Sequence, residues 1–154
     1  GISDAEAVKT MDDAMELIRR HHIAPLICEG ASHCGVDRDS PAMSSLIMTA
    51  CKALLKSEGQ QRELARICAA FEEAGLSYML LKGSRMKALY PRPELRVMGD
   101  ADVLIRMEQY GAIREKMREL GFQEGVESDH ELVWKSPSLY LELHKHLIPS
   151  QIPL

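Results

Sequence analysis

Two aspartates stand one residue apart in Gly99-Asp100-Ala101-Asp102-Val103-Leu104-Ile105. In an extended strand, alternate residues share a face. Asp100 and Asp102 then point one way, and Ala101, Val103 and Ile105 point the other way into a core. Carboxylates held this close repel, and folding tolerates them best with a cation between them. Mg²⁺ takes a few carboxylates together with waters and substrate phosphates, so the pair suits it. An Asp-x-Asp pair also occurs in solvated turns and at strand edges, so this motif alone leaves both readings open.

A second acid adds weight. In Leu139-Tyr140-Leu141-Glu142-Leu143-His144 the three leucines share one strand face, and Tyr140, Glu142 and His144 share the other. A carboxylate in so apolar a strand needs a partner. A shared metal is one candidate and a salt bridge to Lys or Arg is another, while His144 and His146 are also compatible with plain surface positions. The third piece is Lys82-Gly83-Ser84, at the end of one predicted strand and the start of a short helix. Glycine lets backbone approach a phosphate, and free N–H groups at a helix start favour an anion. Ser84 adds a hydroxyl, and Lys82, Arg85, Lys87, Arg92 and Arg96 supply cations suited to a triphosphate. A Gly-Ser turn by itself equally describes a simple helix cap.

The elements that would position these groups change character along the chain. Ser3-Asp4-Ala5-Glu6 reads as a capping box for a helix with Val8, Met11, Met15 and Ile18 on one face, ending near His22 and stopped by Pro25. Residues 29–40 read as a loop. Ser40-Pro41 starts a second helix with Met43, Leu46, Ile47, Ala50, Leu54 and Leu55 in helical rhythm, and Gly59 is expected to break it. A third helix carries Leu64, Ile67, Cys68 and Phe71 and stops at Gly75. From Leu76 the pattern turns to strands: 76–81, 100–106, 130–135 and 139–146. Helices are expected at 85–90 and 108–120, the latter closed by Gly121, and Ser136-Pro137-Ser138 makes a turn between the last two strands. The order strand, helix, strand, helix, strand, strand predicts an α+β domain with an α/β-type mixed sheet.

The bulk composition sets limits on function. Among 154 residues, 45% are hydrophobic and 27% charged, the balance of a globular chain with a core. The net charge of -4 and 5% aromatics argue against a long nucleic acid as partner. No apolar run reaches the roughly 20 residues of a membrane span, and no signal peptide is visible, so a cytoplasmic location is expected. Cys28, Cys34, Cys51 and Cys68 are then expected as reduced thiols. Together with His21, His22 and His33 two of them suggest zinc, but their spacing matches no standard ligand pair. The Met11, Met15, Met43 and Met48 faces read first as core and second as a partner surface.

Taken together, Gly83-Ser84, Asp100-Ala101-Asp102 and a third acid on a later strand, Glu142, resemble the nucleotidyltransferase superfamily that includes DNA polymerase beta. The stretch Leu80-Leu81-Lys82-Gly83 through Leu89-Tyr90-Pro91, then Arg96-Val97-Met98-Gly99-Asp100-Ala101-Asp102-Val103-Leu104-Ile105, Gly121-Phe122, His130 and Leu141-Glu142-Leu143-His144 is more closely similar to an uncharacterised bacterial nucleotidyltransferase-like family. The resemblance covers about residues 76–147. It implies a nucleotidyltransferase fold with an N-terminal helical region over 1–75 and a core over 76–154. The chain ends soon after Glu142, where relatives commonly continue, so a truncated core is an expectation too. The resemblance further implies that Asp100, Asp102 and Glu142 are catalytic and hold Mg²⁺ or Mn²⁺. Lys82, Gly83, Ser84 and Arg96 would bind the nucleotide, and His130 and His144 are further site candidates. The expected reaction moves a nucleoside monophosphate from an NTP such as ATP to an unknown hydroxyl or amine acceptor, a small molecule or a protein, by a two-metal mechanism. The alternative is a degenerate nucleotide-binding or protein-interaction module on the same fold. A third possibility is an unrelated α/β domain, in which the acids would not converge.

Overall fold

A computed structural model describes residues 13–34, 36–87, 89–90 and 92–147. The expected capping box at Ser3–Glu6, with Val8 and Met11, lies outside them. The chain divides into two compact units, Gly1–Ser57 with Arg92–Val97, and Glu58–Pro91 with Met98–Leu154.

The first unit is helical. Helix α1 is described over residues 13–20, and α2 spans Ala24–His33 with Pro25 in its first turn. Pro25 therefore opens a helix as well as closing the one before it, because the first turn needs no N–H from that position. The loop expected from Glu29 accordingly starts only after His33. Helix α3 begins at Pro41, and the Ser40 hydroxyl caps it by accepting the Met43 N–H at 3.3 Å. Met15, Ala24, Met43, Leu46 and Ala50 form this unit's apolar cluster. Met15 and Met43 are thus core, while Met48 is exposed.

Helix α3 runs without interruption from Pro41 to Glu73. Gly59, read from sequence as a break, lies inside it. Glycine lowers helix propensity by about 1 kcal/mol but keeps its N–H, so burial of the flanking turns overrides it. The absent side chain has a use here: a Cβ on Gly59 would lie 3.4 Å from the Ser138 Cβ. The helix ends as expected at Gly75, which takes φ +65°. Leu76 N–H donates to Phe71 O at 2.8 Å and Gly75 N–H to Glu72 O at 3.1 Å, the paired bonds of a left-handed glycine cap.

The second unit is built on a mixed five-stranded sheet of order β1-β2-β5-β4-β3. Its strands are β1 Tyr78–Leu80, β2 Ala101–Ile105, β3 Gln123–Glu127, β4 Glu131–Lys135 and β5 Tyr140–His144. Helix α4, Lys82–Lys87, follows β1 directly, and so begins three residues before the position expected from sequence. Helix α5, Tyr110–Glu119, connects β2 to β3. Strands β2 and β5 run parallel, while β1 against β2 and the β5-β4-β3 meander are antiparallel.

The sheet has two different faces. Ala101, Val103, Ile105, Leu132, Trp134, Leu141 and Leu143 are buried together with Leu64, Ile67 and Phe71 of α3 and Ile113 and Met117 of α5. The helical spacing of the α3 and α5 residues gives each helix one apolar stripe toward the sheet. The opposite face carries Asp102, Leu104, Glu131, Val133, Glu142 and His144, as the register of the β2, β5 and β4 pairs requires.

Strand β3 is absent from the sequence reading. All five of its residues are exposed, so it has no buried alternation to betray it. Charge holds this edge instead: Glu124 bonds Arg118 at 2.6 Å and also pairs with Arg114, and Glu127 bonds Lys145 at 2.6 Å. A charged edge also resists pairing with another chain.

The two glycines predict opposite outcomes for one substitution. Gly59→Ala gains helix propensity with a contact that Ser138 can accommodate, and should stabilise by up to about 1 kcal/mol. A Cβ on Gly125 would meet the Val133 backbone oxygen at 3.2 Å and its Cγ1 at 3.1 Å. Gly125→Ala should destabilise by about 1–3 kcal/mol. Urea unfolding of both variants measures the difference; equal shifts would show that neither close approach constrains the chain.

Candidate active site

Strand β2 emerges from a loop whose last residues are fixed from behind. The buried Gln60 amide of α3 donates to Gly99 O at 3.2 Å, one residue before Asp100. On the other side, Leu81 N–H donates to Asp102 O at 2.9 Å. This bond ties the end of β1 to Asp102. The next residue, Lys82, turns the chain into α4 with φ +40°. A non-glycine residue in the left-handed region stores roughly 1–2 kcal/mol of strain, and such strain concentrates where a side chain must be aimed.

The aim is visible. Lys82 Nζ donates to Asp102 Oδ1 at 2.9 Å, and His144 Nε2 lies 2.8 Å from the same oxygen. Asp102 and Glu142 are direct register partners across the parallel β2–β5 pair. His144, two residues further along β5, shares their face, and its Nε2 is 3.7 Å from Glu142 Oε2. One ligand atom each from Asp102, Glu142 and His144 lie within 4.8 Å of one another. Two carboxylates and an imidazole at that separation fit a divalent cation.

The electrostatics of the two acids differ. Burial of Asp102, which is only 4% exposed, raises its pKa, but hydrogen bonds from Lys82 and His144 and their charges outweigh burial. The carboxyl is held below the ordinary aspartate range. At Glu142 the charge of His144, 3.7 Å away, acts in the same sense but is outweighed. Burial first, then the charges of Glu131, Asp100 and Asp102, lift Glu142 above the ordinary glutamate range. The Lys82 ammonium is stabilised by its bond to Asp102, with Glu142 and Asp100 adding to it.

The remaining sequence candidates are distributed around this group. Asp100 is exposed just before β2 and contributes through its charge on Glu142 and Lys82, outside the three converging ligand atoms. A Cβ on Gly83 would meet Met98 Cγ at 3.7 Å. The Ser84 hydroxyl is buried with no hydrogen-bond partner among the described residues. His130 is exposed in the β3–β4 turn. Arg96 belongs to the segment Arg92–Val97 of the helical unit. Two residues of the site escaped the sequence reading. Glu131 faces it because β4 pairs Glu131 with His144; alternation with buried Leu132 and Trp134 hinted at the face, but not at the neighbour. Gln60 carries no local signal, because a single amide in a helix usually faces water.

The domain is thus α+β, with a mixed sheet on which Asp102 and Glu142 stand side by side within parallel strands. The profile of an uncharacterised nucleotidyltransferase family matches residues 9–153, and the chain belongs to that family. Among solved structures, the crystal structure of ANT(2")-Ia in complex with adenylyl-2"-tobramycin is similar, at 20% identity and a TM-score of 0.49. The match covers 58% of this chain and 51% of that one, so the chain aligns with about half the length of that neighbour. No curated protein matches by sequence. Among the described residues, no helix is long and apolar enough to cross a membrane.

The lifted Glu142 makes a stability prediction. Its proton is bound more tightly in the folded state, so folding loses stability as pH rises from the unfolded glutamate pKa through the higher folded value. In metal-free protein with EDTA at pH 7, Glu142→Gln should melt at a higher temperature than wild type. The advantage should shrink as the pH falls into the carboxylate range. A lower melting temperature for the variant at pH 7 would contradict the like-charge crowding.

Proposed function

We propose that the protein transfers a nucleoside monophosphate from an NTP to a hydroxyl or amine acceptor, at a metal site held by Asp102 and Glu142 with Asp100 beside them. The convergence of Asp102 and Glu142 on one sheet face, in a chain of nucleotidyltransferase family, carries this reading. In the reaction the acceptor oxygen or nitrogen bonds to the α-phosphorus. The bond from that phosphorus to the bridging oxygen breaks, and pyrophosphate leaves. Bound Mg²⁺ or Mn²⁺ would supply charge neutralisation to the phosphates and lower the acceptor's pKa, in the two-metal manner general to phosphoryl transfer.

The chain's own residues divide the rest of the work. Asp102, held ionised, is the stronger anchor for a cation. The acceptor proton passes to Asp102 or Glu142, both beside the reacting centre in this arrangement. Lys82 has a largely exposed side chain, and its ammonium can turn on its flexible stem from Asp102 to the phosphates. The Gly83 backbone and Ser84 would bind the phosphates, and Arg96 is assigned to the nucleotide as well. Acceptor groups of a small molecule or a protein fit the acidic chain better than a long nucleic acid. Residues 1–75 are proposed as the helical region attached to this catalytic core.

Asp102→Ala should lower metal-dependent transfer at least about a hundredfold, measured as pyrophosphate released from each NTP with a panel of acceptors. Wild type at about 100 times the dissociation constant of its NTP and metal should gain roughly 2.7 kcal/mol of stability, and Asp102→Ala should not. Full transfer activity in Asp102→Ala would overturn the assignment.

A further inference from the structure

His144 is bracketed by acids in a way the transfer reading leaves unused. Its Nε2 meets Asp102 Oδ1 at 2.8 Å and Glu142 Oε2 at 3.7 Å. Its other nitrogen, Nδ1, lies 4.0 Å from Glu131 Oε2. Glu131 and His144 are direct partners across the antiparallel β4–β5 ladder, so their Cβ atoms stand about 5 Å apart on one face whatever their rotamers. Glu131 is about one-third exposed at its side chain.

Two ligands at right angles on bonds of about 2.1 Å stand roughly 3 Å apart. The 2.8 Å between Asp102 and His144 is such an edge. A cation accepting Nε2 and the Asp102 oxygen together replaces their hydrogen bond. Nε2 must then be free of its proton, and the ring's single N–H sits on Nδ1, facing Glu131. Metal-bound histidines commonly give their second N–H to a carboxylate in this fashion, which fixes the ring and strengthens the ligand. Mg²⁺ prefers oxygen throughout and seldom takes imidazole; first-row transition metals accept it readily.

Resting on the transfer reading for the location of the metal, we infer that His144 is a ligand of that metal through Nε2. Glu131 positions it through Nδ1, and the mixed nitrogen and oxygen donors select a divalent transition metal over Mg²⁺. Glu131 touches no substrate in this assignment; it acts through His144.

The test is electron spin echo spectroscopy of Mn²⁺ bound to the whole chain, with and without a non-hydrolysable ATP analogue, beside titrations of Mn²⁺ and Mg²⁺ binding. Wild type should show modulation from a directly bonded ¹⁴N, and His144→Ala should lose it while keeping its circular dichroism spectrum. The ratio of Mn²⁺ to Mg²⁺ affinity should fall at least about tenfold in His144→Ala. Glu131→Ala should weaken Mn²⁺ binding about 10- to 100-fold. Glu131→Gln, whose amide oxygen still accepts from Nδ1, should recover part of that loss. Mn²⁺ bound without nitrogen modulation would overturn this inference and leave the transfer reading standing. No Mn²⁺ binding even with the nucleotide analogue would overturn both.

Discussion

The side-by-side placement of Asp102 and Glu142 on parallel strands is the constraint around which the second unit is arranged. A nearly buried carboxylate is costly unless hydrogen-bonded and paired. Asp102 meets that demand with Lys82 and His144 on a single oxygen. Glu142, its register partner, meets His144 only at 3.7 Å and feels the like charges of Glu131, Asp100 and Asp102. The face is therefore short of positive charge, and the protein supports that imbalance with stability drawn from elsewhere.

It is drawn from the opposite face of the same strands. Val103 and Leu143, one residue on from the acids, are buried in the cluster with α3 and α5. Period-two alternation lets one strand donate both a core side chain and a site side chain, so the apolar face clamps the backbone that aims the acids. The clamp is reinforced where β2 begins, by Gln60 on Gly99 and by Leu81 on Asp102. The strained Lys82 backbone is the cost of turning sharply enough to bring an ammonium back over β2. Functional sites commonly combine strain with like-charge crowding on a rigid scaffold.

Departures from local expectation share one cause. Gly59 has weak helix propensity, yet α3 continues through it, since Gln60 and Leu64 in the next turn are buried. Strand β3 has no hydrophobic alternation and only Val126 as a strong strand former, yet it pairs because β4 presents an open edge and Arg114, Arg118 and Lys145 stand ready for its glutamates. In both cases tertiary partners outweigh propensities worth about 1 kcal/mol.

The sequence by itself carried the mixed sheet, the two faces of β2 and β5, the glycine stops at Gly75 and Gly121, and the chemical identity of Asp100, Asp102, Glu142 and the Lys82-Gly83-Ser84 turn. These are local properties: alternation, capping and donor type are written within a few residues. The tertiary structure alone decided that β2 and β5 pair in parallel with Asp102 opposite Glu142, and that His144 rather than His130 joins them. It also decided that Glu131 stands beside His144 and that Gln60 reaches Gly99. Those facts depend on register between strands some forty residues apart and on a buried helix face. Register is set by which apolar sets can be buried together, a property of the whole core and not of any one segment.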